Sequence, residues 1–292
     1  MTVDTTEMIK HDPRADEPAA SVSTAPASPG EQVEPKEPFE RLTASVQGLS
    51  IDVIGWDAAL ERIAHWADRR ESRVVAICNA HSVITARQDA EFRDAVENAA
   101  MATADGAPVA WTIRNLGYPE QKRINGPDLM LRYCELAAQN GQKIFLYGNE
   151  EKTVSRLTKT LLKGFPGLQI AGSITPPFRA LSEAEDEQIV KEINESGAQV
   201  VFVSLGCPKQ EKWMADHAGR VQAVMIGVGA AFDYHAGTIK RAPLWMQQRG
   251  LEWFYRLVSE PRRLWRRYFL TNTAFVIGAA RQFVGTRHAK RR

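Results

Sequence analysis

Between about residues 41 and 240 the chain alternates short apolar runs with longer amphipathic segments. The runs at 74–77, 144–147, 168–171, 200–203 and 223–226 have the length and composition of strands buried on both faces. Apolar residues recur at helical spacing over 56–70, 81–99 with a break, 128–140, 151–164, 182–196 and 208–218. Segment 172–181, with Gly172 and Pro176-Pro177, reads as a loop. Strands that alternate with helices in this way predict an α/β fold, a Rossmann-like, doubly wound and mainly parallel sheet. Such sheets bind ligands beyond the carboxyl ends of their strands, so those ends are where chemistry is sought.

Charge divides the chain further. Residues 1–40 hold three Lys/Arg against nine Asp/Glu, whereas 241–292 hold twelve against two, around a near-neutral middle. The first segment is rich in Ala, Ser, Pro and Glu and has too little apolar surface to offset the entropy of ordering, so an acidic disordered tail is expected over 1–40. A catalytic domain over 41–240 and a helical, basic, aromatic-rich appendage over 241–292 complete the expected organisation. Cys78, Cys134 and Cys207 form no CxxC pair, which argues against a disulfide framework or a zinc site and for a reducing cytoplasm. No signal-peptide run and no eighteen-residue apolar stretch occurs.

Five strand ends carry candidate chemistry. Asp105-Gly106 follows a small apolar run, and its carboxylate either caps a helix over 108–115 or works on a ligand in a sharp turn. Asn79 and His81 close the first strong strand, where they cap the next helix or bond a ligand. Gly148 lies between strand and helix, where backbone amides suit an anion, although the rest of GxGxxG is missing and no GxxxxGK[ST] occurs. Pro208 places Lys209 and Gln210 in a first helical turn, where a cation opposes the helix dipole unless an anion is near. Asp233 ends a run of small residues and is either a ligand contact or a structural acid paired with Arg241. No DxD pair and no His/Asp cluster with ligand spacing is present, so neither a metal nor any other cofactor is expected.

The appendage interleaves arginines with Trp and Tyr, a composition suited to an interface with anionic lipids. Phe269, Val276, Ala280 and Phe283 form a helical stripe that either meets lipid or packs on the core. Nucleic acid is the rival partner for Arg with aromatics, but the middle of the chain has no basic surplus to continue a groove, so none is expected. A non-catalytic scaffold role is the third reading.

Several blocks, in order over roughly 45–268, carry a resemblance. They are Asp105-Gly106-x-Pro108-Val109-x-Trp111, Arg123-x-x-Gly126-x-Asp128-Leu129, Gly206-x-Pro208-Lys209-Gln210-Glu211, Arg241-Ala242-Pro243, Glu252-Trp253-x-x-Arg256 and Pro261-x-Arg263. With them the chain resembles the WecG/TagA/CpsF glycosyltransferases. The resemblance implies an inverting, metal-independent transfer from a UDP-sugar to a polyprenyl-diphosphate-linked acceptor at the cytoplasmic membrane face, in cell-surface polysaccharide synthesis. It also implies a Rossmann-like core and a C-terminal appendage that docks on the membrane and closes the site. On this resemblance Asp105 is the base, Arg123 and Gln210 line the substrate pocket, and Arg256, Arg263 and Arg266 are appendage arginines directed at diphosphate. Many members carry Thr two positions before the residue matching Asn79; here that position is Ile77.

Overall fold

The computed structural model describes residues 39–289, the side chains of Arg263, Arg267 and 286–289 excepted. The expected acidic tail therefore lies outside the described residues, apart from its last two positions. Leu42–Arg292 form one compact unit.

A hairpin opens it. β1 (Thr43–Val46) returns as β2 (Leu49–Asp52) through a two-residue turn in which Gln47 has φ 54° and Gly48 φ 92°. Two successive left-handed residues match the twist of paired strands, and Gln-Gly signals such a turn less clearly than Asn-Gly would. The hairpin was not among the expected strands.

The chain continues as α1 (Trp56–Asp68), β3 (Arg73–Cys78), α2 (Ala80–Ala86), α3 (Ala90–Glu97), β4 (Met101–Ala104), α4 (Ala107–Asn115), α5 (Gly126–Asn140), β5 (Lys143–Gly148) and α6 (Glu151–Gly164). Then follow β6 (Gln169–Ile174), α7 (Glu183–Glu195), β7 (Val200–Ser204), α8 (Lys209–Asp216), β8 (Val224–Gly227), α9 (Ala231–His235), α10 (Leu244–Gln248), α11 (Glu252–Ser259) and α12 (Pro261–Ala289). Six strands make one sheet in the order β4-β3-β8-β7-β5-β6, every pairing parallel. This is the parallel sheet that the alternation predicts and the Rossmann-like fold that the resemblance implies. The last strand, β8, is inserted between β3 and β7, which sets the exits of β3, β8 and β7 side by side at the centre of one edge, flanked by those of β4 and β5.

Strand periodicity builds two cores. Val74, Ala76 and Cys78 of β3 face the layer containing α2, α3, α4, α7 and α8, while Val75 and Ile77 face α1, α5, α6 and α9. Burial on both faces explains why these strands read as unbroken apolar runs. It also seats Ile77, where the resemblance would place a hydroxyl, in the second core at 7% exposure.

Two expectations need correction. β6 runs three residues into the predicted loop 172–181, because an extra residue at Ala171 breaks the pairing register between Ile144/Ile170 and Phe145/Gly172 and disrupts the alternation. The stripe Phe269, Val276, Ala280 and Phe283 does not share one environment. Phe269, Val276 and Ala280 are exposed, whereas Phe283 meets Trp111 edge-on with ring centroids 5.4 Å apart. The face of α12 that docks is Leu264, Thr271, Phe275 and Ala279, held by the hairpin. There Gln47 Nε2 donates to the Phe275 carbonyl at 2.8 Å, Gln47 N to Gln282 Oε1 at 3.0 Å, and Gln282 Nε2 back to the Ser45 carbonyl at 2.6 Å. Together with packing on α2, polar groups of this turn select the face, and apolar periodicity carries no record of them.

Candidate active site

β4 delivers Asp105. Its amide donates to the Cys78 carbonyl at 2.8 Å, extending the ladder one residue beyond the strand, and Gly106 then turns the chain with φ 82°. That positive φ suits glycine and reverses the backbone within one residue. α4 starts at Ala107 without a side-chain cap, so the capping reading of Asp105 does not hold. The loop before α5 lies alongside: Ile124 N donates to the Ala104 carbonyl at 2.9 Å, and Arg123 Nε reaches Asp105 Oδ1 at 3.2 Å. Burial pushes the Asp105 carboxyl above the usual aspartate range; Arg123 pulls it back and the Glu252 carboxylate adds to the rise.

From Arg123 a ladder of alternating charge runs to the C-terminal segment. Arg123 Nη2 donates to Glu252 Oε2 at 2.5 Å, Arg241 Nε to Glu252 Oε1 at 3.1 Å, and Arg241 Nη1 to Asp128 Oδ1 at 2.5 Å. Asn125 braces its far end, giving Nδ2 to Asp128 Oδ2 at 2.6 Å and accepting from Arg241 Nη2 at 3.3 Å. Burial disfavours the Asp128 charge too, but the hydrogen bond and charge of Arg241 outweigh it and hold this carboxyl below its usual range. Two aspartates at opposite ends of one network are thus pushed in opposite directions, the pattern that separates a proton acceptor from a fixed charge. Arg241 pairs with Asp128 and Glu252, so the alternative pairing with Asp233 is corrected.

The exits of β5, β7 and β8 meet on the other side. Gly148 has φ 110°, and a Cβ there would stand 2.6 Å from the Ser204 carbonyl oxygen. The glycine is accordingly required by strand packing, whatever ligand its amides could also meet. Asn149, with φ 64°, donates through Nδ2 to Asp233 Oδ2 at 3.1 Å and to Ser204 Oγ at 3.4 Å. Thr238 Oγ1 adds a bond to Asp233 Oδ1 at 3.2 Å. Asn149 and Ser204 were not singled out as site residues; the available signal was an Asn directly after Gly at a strand end, a sequence that favours positive φ.

Other candidates divide between support and exposure. Asn79 Oδ1 accepts from the amides of His81 and Ser82 at 2.9 and 3.3 Å, and Ser82 Oγ accepts from Asn79 N, a capping box that starts α2. His81 is half-buried in that first turn. Gln210 is 4% exposed and fully engaged inside the protein, whereas Lys209 beside it is exposed. Arg256 lies on α11 one turn after Glu252, its guanidinium 5.8 Å from the centre of the Tyr234 ring. Its Nε is buried and has no hydrogen-bond partner. Arg266 is exposed on α12, and the Arg263 side chain lies outside the described residues. Among the described residues no group of three or more His, Cys, Asp or Glu is arranged to hold a metal.

Residues 44–289 match the family model described as the Glycosyl transferase WecG/TagA/CpsF family. The span runs from the hairpin to the end of α12 and takes in both sides of the charge ladder. Glu252, 14% exposed, is the only carboxylate in that ladder shared by two guanidinia. Glu252→Ala is expected to destabilise the protein by about 2–3 kcal/mol, below the ~3–5 kcal/mol for a fully buried pair because solvent reaches part of the network. Proteolysis near Arg241 should accelerate as α10 and α11 loosen. Denaturant titration and limited proteolysis check both effects.

Proposed function

Since the chain belongs to the WecG/TagA/CpsF glycosyltransferase family, we propose that it moves a sugar from a UDP-sugar to a polyprenyl-diphosphate-linked acceptor, with inversion and without a metal. The observation that carries this reading is the contrast among its arginines. Arg123 and Arg241 are neutralised by Asp105, Glu252 and Asp128, whereas Arg256 faces an aromatic ring with a buried Nε that bonds to nothing. A guanidinium placed in this way suits the diphosphate of a leaving UDP.

In the proposed step Asp105 takes the proton from the acceptor hydroxyl as that oxygen bonds to the anomeric carbon. The bond from that carbon to the UDP oxygen breaks on the opposite face, and Arg256 meets the charge that grows on the diphosphate. A carboxyl pushed up by burial is a stronger base than an ordinary aspartate. Asn149, Ser204 and Asp233 offer polar groups for the nucleoside or sugar.

The outer face of the C-terminal helices supports docking on the inner surface of the cytoplasmic membrane. Trp245, Trp253, Phe254, Trp265 and Phe269 are between 39% and 68% exposed, and arginines lie among them. No described helix is long and apolar enough to cross a membrane. Aromatics backed by cations fit the headgroup region of an anionic bilayer instead, which would bring a lipid-linked acceptor to Asp105.

Three outcomes test this reading. Asp105→Asn should fold normally and lower kcat by about 10²–10⁴-fold, the usual worth of a positioned base, and the acid limb of kcat/KM should disappear with it. Wild-type turnover in that variant would remove the base. Arg256→Ala should weaken UDP binding in calorimetry and lower kcat by about 10²-fold, with partial recovery in Arg256→Lys. Replacing Trp265 and Phe269 together by Ser should weaken sedimentation with anionic liposomes by about tenfold or more, given ~1.5–3 kcal/mol for burying each large apolar side chain. Unchanged sedimentation would end the membrane assignment.

A further inference from the structure

Below the carboxyl edge lies an acid that the proposed chemistry does not use. Glu211 in the first turn of α8 is 2% exposed, and its Oε2 has no hydrogen-bond partner. Its Oε1 accepts from Gln210 Nε2 at 2.9 Å, while Gln210 Oε1 accepts from the Gly229 amide at 3.1 Å. Gly229 sits in the turn leaving β8, and its carbonyl in turn accepts from Ser204 Oγ at 2.7 Å. A carboxamide looks alike from both sides, so its orientation is set by its partners. Here the Gly229 amide demands an acceptor and Glu211 supplies the complement; a flipped Gln210 would point Nε2 at an N–H.

We propose that Glu211 is a positioning residue: by fixing the orientation of the Gln210 amide it holds the Gly229 turn in the form that receives the donor nucleotide. That the donor lies against this turn rests on the transferase reading above, which offers Ser204, bonded to the Gly229 carbonyl, to the nucleoside or sugar; the brace itself does not. Ionised Glu211 can only accept, so it locks Gln210. Protonated Glu211 can also donate, and its hydroxyl competes with Gly229 for Gln210 Oε1. Burial pushes the carboxyl up to about 7, only partly opposed by bonds from Gln210, its own amide and the Cys207 thiol, so the brace changes state near neutral pH. The titratable neighbours are Cys207 in the loop before α8 and Cys78 at the end of β3, whose own thiol also feels Asp105 and Asp52; no cation is among the groups acting on Glu211. A buried acid kept without a cation costs stability above its raised pKa, which is the usual mark of a group retained for function.

Glu211→Gln fixes the neutral form, an acceptor together with a donor, and loses the titration; Glu211→Met loses the acceptor as well. Amide exchange by mass spectrometry in the ligand-free protein should be faster at 227–230 in Glu211→Met by about tenfold, as expected for one lost internal hydrogen bond, and faster by a smaller factor in Glu211→Gln, whose amide can donate as the protonated acid does. UDP binding should weaken about tenfold in Glu211→Met at pH 8, with kcat at saturating donor changed less than about threefold. Between pH 6 and 8 the wild-type affinity for UDP should improve several-fold relative to that of Glu211→Gln, a ratio in which the titration of UDP itself cancels. Equal exchange in Glu211→Met and wild type would overturn the brace. A wild-type to Glu211→Gln ratio that does not change with pH would overturn its dependence on ionisation. Altered exchange with no UDP binding by any form, wild type included, would overturn the donor reading and leave the brace standing.

Discussion

Glu252 joins two halves of this molecule that sequence places far apart. Its two oxygens serve Arg123, which reaches the end of β4, and Arg241, which reaches the start of α5. An ion pair this enclosed gains little net stability over an apolar contact, but a missing partner is costly, so the network enforces geometry more than it adds stability. With Glu252 in place, α11 has one seating, and Arg256 one turn further on is carried to the ring of Tyr234. The electrostatics of Asp105 depend on the same contact, because the Glu252 carboxylate contributes to the rise in its proton affinity.

Within that frame the charged groups divide their work by how fully each is neutralised. Asp128 is held ionised by Arg241 and Asn125, and its place is structural. Asp105 has one oxygen on Arg123 Nε at 3.2 Å and remains 22% exposed, so it keeps access to a proton. Arg256 has a hydrogen-bonding Nε without a partner. The polar groups at the exits of β5, β7 and β8 are tied mainly to one another, through Asn149, Ser204 and Asp233, which gives them fixed directions before any ligand arrives.

How much of this was legible follows the range of the interactions. The break between α2 and α3 and the cap at Asn79 were readable, because helix punctuation acts over three or four residues. β6 was read short, since its extra residue at Ala171 interrupts the period on which the reading relied. The strand end at Asp105 is legible, but its capping alternative falls only to the Gly106 turn, after which α4 starts without a side-chain cap. Of the two readings of Asp233, the pairing with Arg241 fails because Arg241 meets carboxylates contributed by α5 and α11.

The sequence by itself determined the α/β class, most of the central strands, the family and the residue types that carry charge. These follow from periodicity, turn chemistry and ordered local blocks, all of which are written along the chain. Tertiary structure decided which arginines share the carboxylate Glu252 and which has an Nε without a partner, which face of α12 docks, and that Gln210 is bonded between Glu211 and Gly229. Each of these depends on groups brought together by inserting β8 between β3 and β7 and by folding residues 241–289 back over the edge, and a charge or an amide acquires its role only from the neighbours it meets there.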